Sequence, residues 1–238
     1  MRSPESYLEL LKLDIEKHPV IAVVGGGGKT SLIFRLCDEL TSMGKRVVIS
    51  TTTHMAYEPF RPFAPDGDMR DAEYALEHKG YVIAGHREEN GKISRLSAES
   101  LQNLRNLCDV MLIEADGAKH KPIKVPEEWE PVIPDFADIV ISVVGLDCLG
   151  QPICQTAHRM ERTAEFLRKS MDAPVTPEDV VKIASSICGL FKNVEDRVYR
   201  VYLNKADTLK ETDAAEEILE GLKQKNIVAS YGSMGEMA

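Results

Sequence analysis

No apolar run in this sequence approaches the roughly 18 residues needed to cross a bilayer, so no membrane partner is expected. No block of basic residues is present either. The net charge is −9, and a nucleic acid would find no electrostatic footprint to hold it. The opening stretch MRSPESYLELLKLDIEKHP lacks the basic start, apolar centre and small-residue cleavage site of a secretory signal. Cysteine is sparse: Cys37, Cys108, Cys148, Cys154 and Cys188 are scattered, odd in number and without a CxxC pair. That argues against a disulfide framework and for a reducing, cytoplasmic compartment. Internal repeats and low-complexity segments are also missing. What remains, 43% hydrophobic and 28% charged residues over 238 positions, suffices for a globular protein with a sizeable core.

Short apolar runs rich in Val and Ile recur at 20–24, 46–50, 81–84, 110–113, 139–144, 198–203 and 227–229. Most are continuous rather than alternating, the pattern of strands buried on both faces of a parallel sheet. Helical patterns lie between them. Leu32, Ile33, Leu36, Leu40 and Met43 share one helical face, and Gly44 supplies a left-handed stop. A second helix is expected from Ser97, with Leu101, Leu104 and Leu107 inward. A third is expected from Thr176, where Pro177 suits the first turn and Asp179 the positive end. A fourth is expected from Thr208, with Glu211 completing a capping box. The alternation predicts a doubly wound, mostly parallel α/β sheet in a single domain over 1–238. Residues 145–195 read as a mostly helical insertion, an appendage or lid. Two Pro- and charge-rich loops, 57–68 and 116–136, follow strand ends, on the face where open α/β sheets bind ligands.

The segment VIAVVGGGGKTSLIFRL reads strand, glycine turn, helix. Glycine permits a close approach of backbone to an anion, and successive amides at a helix start can hold phosphate oxygens. Gly25, Gly26, Gly27, Gly28, Lys29, Thr30 and Ser31 are therefore the expected phosphate-binding residues. Lys29 would reach the β and γ phosphates and the Thr30 hydroxyl would ligate magnesium. Val23 stands where GxxxxGK[ST] requires glycine, so the loop is a shorter GxxGK[ST][ST] form, resembling that of Mur-type amino-acid ligases. A carboxylate on a neighbouring strand completes such a site. CDVMLIEADG offers Glu114 and Asp116 as metal or catalytic groups, and the spacing to Gly117 fits the ExxG signature found in metal-delivering GTPases. Late in the chain, Asn204, Lys205, Ala206 and Asp207 match NKxD. The Asp carboxylate can accept from guanine N1–H and the exocyclic amine, whereas adenine would leave it unpaired.

Weaker candidates flank these motifs. Thr51, Thr52, Thr53 and His54 follow the second strand and could respond to a γ phosphate, ligate a metal or shuttle a proton, or simply cap the strand. Lys119, His120, Lys121 and Lys124 could bind an anion or form a solvated loop. Cys148, Cys154 and His158 could form a soft metal site, although their spacing fits no established zinc pattern. Arg159 and Arg162 could contact phosphates from a lid or sit on a helix surface. Ser230, Tyr231 and Gly232 could bring amides near the base.

Taken together, GGGGKTS, TTTH, EADGAKHKPIK, VVGLDCLG, the His158–Arg159 pair and NKAD resemble the selenium-dependent molybdenum hydroxylase accessory protein family, over roughly residues 20–232. The resemblance implies a P-loop nucleotide-binding protein with a maturation role, in cofactor insertion or in selenium or sulfur loading. Its partners would be a molybdenum hydroxylase apoprotein or its cofactor. The expectation is a magnesium-dependent GTP-binding protein with slow GTPase activity. Two rivals remain: an ATP-dependent ligase or kinase, and a non-hydrolysing nucleotide or cofactor carrier.

Overall fold

The first strand runs straight into the glycines. In the computed structural model, which describes residues 6–235, a turn of helix capped by the Ser6 hydroxyl, α1 (Tyr7–Leu10), precedes β1 (Val20–Gly25), all six residues of which are buried. α2 (Lys29–Ser42) and β2 (Val47–Thr51) follow. Next come β3 (His54–Ala56), β4 (Phe63–Pro65), α3 (Met69–Lys79), β5 (Tyr81–Arg87), β6 (Lys92–Ser94) and α4 (Ala98–Arg105). β7 (Val110–Glu114), β8 (Ile123–Lys124) and β9 (Ile139–Gly145) lead to α5 (Ile153–Thr156), β10 (Ala157–His158), α6 (Met160–Leu167) and α7 (Pro177–Ser185). The chain closes with β11 (Val198–Asn204), α8 (Asp213–Lys223) and β12 (Val228–Tyr231).

The fold is mixed α/β around one large, mostly parallel sheet in the order β12-β11-β9-β1-β7-β2-β5-β6-β3, with β4 also paired to β5. Among the described residues of this sheet, the antiparallel pairings are those of β6 with β5 and β3. Alternate side chains of β1 feed two cores. Ile21 and Val23 pack with Leu32, Leu36 and Leu40 of α2, while Ala22 and Val24 pack on the other face with residues of α3, α4, α7 and α8. Residues 145–195 carry α5, α6 and α7 joined by turns and bends, and Ile153, Ala164, Leu167, Val180 and Ile183 lie in the same core cluster as Ala22 and Val24.

Local signals explain most helix ends. Gly44 (φ 78°) stops α2, with the Lys45 amide reaching back to Leu40 O. Ser97 caps α4, and Thr176 with Asp179 forms a capping box on α7. Two expectations need correction. Met43 is 57% exposed, because it falls at the helix terminus beyond the reach of the core. The last helix starts at Asp213, not after Thr208; the Thr208 hydroxyl instead donates to Lys205 O, closing a 3-10 turn. Helix α3 was not anticipated, although Asp68 caps it and left-handed Gly80 ends it.

Candidate functional site

β1 lies between β7 and β9, and the chain passes from one side of it to the other after β7. Such a reversal opens a crevice at the carboxyl ends of the strands. The four glycines occupy it under tight restraint. Gly25, Gly27 and Gly28 have φ of 94°, 76° and 128°, which L side chains disfavour. A Cβ at Gly25 would stand 2.3 Å from Val143 O, and one at Gly26 would stand 2.4 Å from Lys121 O. At Gly27 it would meet Gly145 N at 2.3 Å, and at Gly28 Asn204 Nδ2 at 2.5 Å.

The first amides of this loop are committed internally. Gly25 N–H donates to Asp116 Oδ2 (3.0 Å), Gly26 N–H to Val143 O (2.9 Å) and Gly27 N–H to Lys121 O (3.0 Å). The amides of Gly28, Lys29, Thr30 and Ser31 take no hydrogen bond among the described residues. They crown the 14-residue helix α2, whose amino end carries partial positive charge. The free donors thus begin at Gly28, and the earlier glycines serve to shape the turn.

Charged groups gather behind this cradle. Lys29 is 6% exposed; its Nζ donates to Gly25 O (2.8 Å) and lies 3.2 Å from Asp116 Oδ1 and 3.8 Å from Glu114 Oε1. Burial pulls the ammonium down, yet Asp116 and Glu114 hold it above its ordinary value. The two acids differ in setting. Asp116 is fully buried, holding Gly25 N–H and flanked by Lys29 and, at 3.2 Å, by Lys124. Glu114 accepts the Thr30 hydroxyl at Oε2 (2.7 Å). Burial pushes its carboxyl up, opposed by Lys29 and by the Thr30 hydrogen bond. The Thr30 hydroxyl and the Glu114 carboxylate, which meet here through a hydrogen bond, are oxygen donors of the kind magnesium takes.

The third motif meets the first directly. Asn204 Nδ2 donates to Gly27 O (2.7 Å), and its Oδ1 accepts from Met234 N–H (3.3 Å). Lys205, left-handed at φ 63°, reaches Asp147 Oδ2 (2.6 Å). Asp207 is exposed; its N–H donates to Ser233 Oγ (2.9 Å) and its Oδ1 accepts the Ser233 hydroxyl. That hydroxyl holds the Asp207 carboxyl below its ordinary range. Gly232 braces the same turn, donating to Leu203 O and accepting from Ala206 N–H.

The weaker candidates separate. Thr51 Oγ1 and Thr52 N–H both donate to Glu114 O, so the threonines adjoin the acid through its backbone. His54 is exposed and faces Glu88 (3.1 Å). Lys119 and His120 are exposed, with consecutive left-handed φ of 46° and 60°. Lys121 Nζ donates to Gln155 O, and Lys124 is wholly buried. Arg159 pairs with Glu127 and Glu130, and Arg162 with Glu127 and Pro126 O. Cys148 is buried with its thiol pushed up, chiefly by burial, while Cys154 contacts Asp172. No cluster of three or more His, Cys, Asp or Glu suited to a metal occurs among the described residues. No helix there is long and apolar enough to cross a membrane.

Sequence reasoning missed Glu130, Asp147 and Ser233, and gave Lys124 as an anion binder or part of a solvated loop, whereas it is buried between two carboxylates. Lys124 had one signal: it lies between Ile123 and Val125 in an apolar stretch.

The protein-family model described as YqeC protein matches residues 21–161, a span that holds the glycine loop and both acids. The uncharacterized protein YqeC of Escherichia coli (strain K12) is 34% identical over 234 residues, covering 93% of this chain and 90% of that protein.

Proposed function

We propose that this chain, which belongs to the YqeC family, is a P-loop protein that binds GTP with magnesium and assists maturation of a selenium-dependent molybdenum hydroxylase. The observation that carries the nucleotide reading is the Asn204 hydrogen bond to Gly27 O. It joins a candidate base-reading turn to a candidate phosphate cradle. The amides of Gly28–Ser31 receive the phosphates, and Lys29 leaves Gly25 O and Asp116 to reach them. Thr30 and Glu114 hold magnesium, which neutralises phosphate charge. Asp116 stays behind as the clamp on Gly25. Asp207, kept ionised and oriented by Ser233, accepts from guanine. The maturation role rests on the motif resemblance alone. Glu114, the carboxylate that meets Thr30, is taken up by magnesium in this reading rather than by water, so turnover is slow and loop movement is the output.

Titration with GTP and ATP, each with magnesium, followed by phosphate release, tests this. GTP should bind at least about tenfold tighter than ATP, a difference of about 1.4 kcal/mol, and release phosphate slowly. Asp207→Asn should turn the preference towards xanthine nucleotides. Equal affinity for GTP and ATP, unmoved by that substitution, would overturn the guanine assignment. GTP binding without phosphate release would leave a carrier.

A further inference from the structure

An unbroken file of alternating charge runs from the phosphate loop to the surface. Lys29 Nζ lies 3.2 Å from Asp116 Oδ1, and Asp116 Oδ2 lies 3.2 Å from Lys124 Nζ. Lys124 Nζ donates to Glu130 Oε2 (2.9 Å) and to Gly117 O (2.7 Å). Glu130 Oε1 accepts from Arg159 (3.1 Å), whose guanidinium carbon lies 5.8 Å from the centre of the Trp129 ring. Lys29, Asp116, Lys124 and Glu130 are all buried, while Trp129 is 68% exposed. Water screens buried charges little, so each ion in the file feels its neighbours strongly.

Lys124 sits at the middle of the file with two carboxylates to serve. While Lys29 faces Asp116, that acid has two cations. Once Lys29 turns to another anion, Asp116 has only Lys124, which is drawn towards it and away from Glu130. Glu130 then relies on Arg159, the cation beside Trp129. We infer that Lys124 is a positioning residue that transmits the state of Lys29 to the Trp129 surface, so that the loop over 126–131 signals whether the phosphate loop is filled. This rests on the triphosphate reading above and adds its regulation. The physical element is the divided loyalty of one buried ammonium, rather than mere proximity along a path.

Trp129 is the sole tryptophan, so the full chain carries its own reporter. Its fluorescence is titrated with magnesium GTP, with free tryptophan as the absorption control, while calorimetry measures binding independently. In the wild-type chain the emission should change with the calorimetric midpoint. Glu130→Gln breaks the file beyond Lys124 without touching Asp116. It should bind within about threefold of wild type and lose most of the emission change. Arg159→Gln, at a partly exposed site, is the second cut should Glu130→Gln fail to fold, and should behave alike. Lys124→Met should also silence the signal. Binding with no emission change in the wild type, or a full change in both cut variants, overturns this inference and leaves the nucleotide reading standing. Absence of calorimetric binding to the wild type overturns both.

Discussion

Asn204→Ala tests whether the base-reading turn holds the phosphate loop. The side chain is 5% exposed and makes two hydrogen bonds, one to Gly27 O at 2.7 Å and one from Met234 N–H at 3.3 Å. Truncation orphans both backbone groups, and an unsatisfied buried polar group costs about 1–3 kcal/mol. The longer bond is the weaker, so a total of about 2–4 kcal/mol follows. In a chain of this size each kcal/mol moves the melting midpoint by about 2–4 °C, giving a fall of about 5–15 °C. Asp207→Ala is the comparison, because Asp207 is exposed and should cost no more than about 0.5–1 kcal/mol. Thermal and urea unfolding followed by circular dichroism measure both. Nucleotide titration adds a second contrast: Asn204→Ala should weaken GTP and ATP alike, by loosening the cradle, whereas Asp207→Ala should weaken GTP alone. If Asn204→Ala melts together with Asp207→Ala, or loses only GTP, the bracing argument fails.

Lys29→Met should abolish triphosphate binding by calorimetry. Its stability loss should fall below the usual cost of about 3–5 kcal/mol for breaking a buried ion pair, because Lys124 still faces Asp116. Removing magnesium with a chelator should weaken GTP binding to the wild-type chain by at least about tenfold. Thr30→Val, which lacks the hydroxyl that meets Glu114, should already be weak and respond little. A pH series on Glu130→Gln carries the sign of a depressed carboxylate. Burial alone would raise the Glu130 carboxyl, but Lys124 and Arg159 hold it below its ordinary range. Its stabilisation is therefore present above the unfolded Glu value of about 4.3 and lost as pH falls through the lower folded value. Unfolding in urea should show Glu130→Gln less stable at neutral pH but losing less between about pH 5 and pH 3.

Much of this was legible along the chain. The seven apolar runs became β1, β2, β5, β7, β9, β11 and β12, each within a few residues, because strands buried on both faces leave no room for polar alternation. The edge pieces β3, β4 and β6 have three residues each, too few for any period to show. Thr30 meets Glu114, and Asn204 meets Gly27. The division of labour among them was hidden. Sequence marks an amide as present; it does not reveal that Gly26 and Gly27 spend theirs on Val143 and Lys121. Nor does it separate two acids two residues apart, one enclosed by lysines and the other meeting a hydroxyl. Ser233 and Glu130 act through contacts formed with distant segments, which no local pattern records.

The crowding around the four glycines has an experimental corollary. A methyl group at any of the four positions collides with main chain or with Asn204 at 2.3–2.5 Å, so an alanine scan there would read out collapse of the turn, whatever the loop grips. The side chains of Lys29 and Thr30 can be trimmed without such a collision, provided stability is measured beside binding, because Lys29 pairs with Asp116 and Thr30 meets Glu114. For the same reason an inactive glycine variant in a screen of this protein would be mute about chemistry, and a tolerated one would mean that β9 or Lys121–Pro122, or at Gly28 the side chains of Asn204 and Met234, had moved away from the loop.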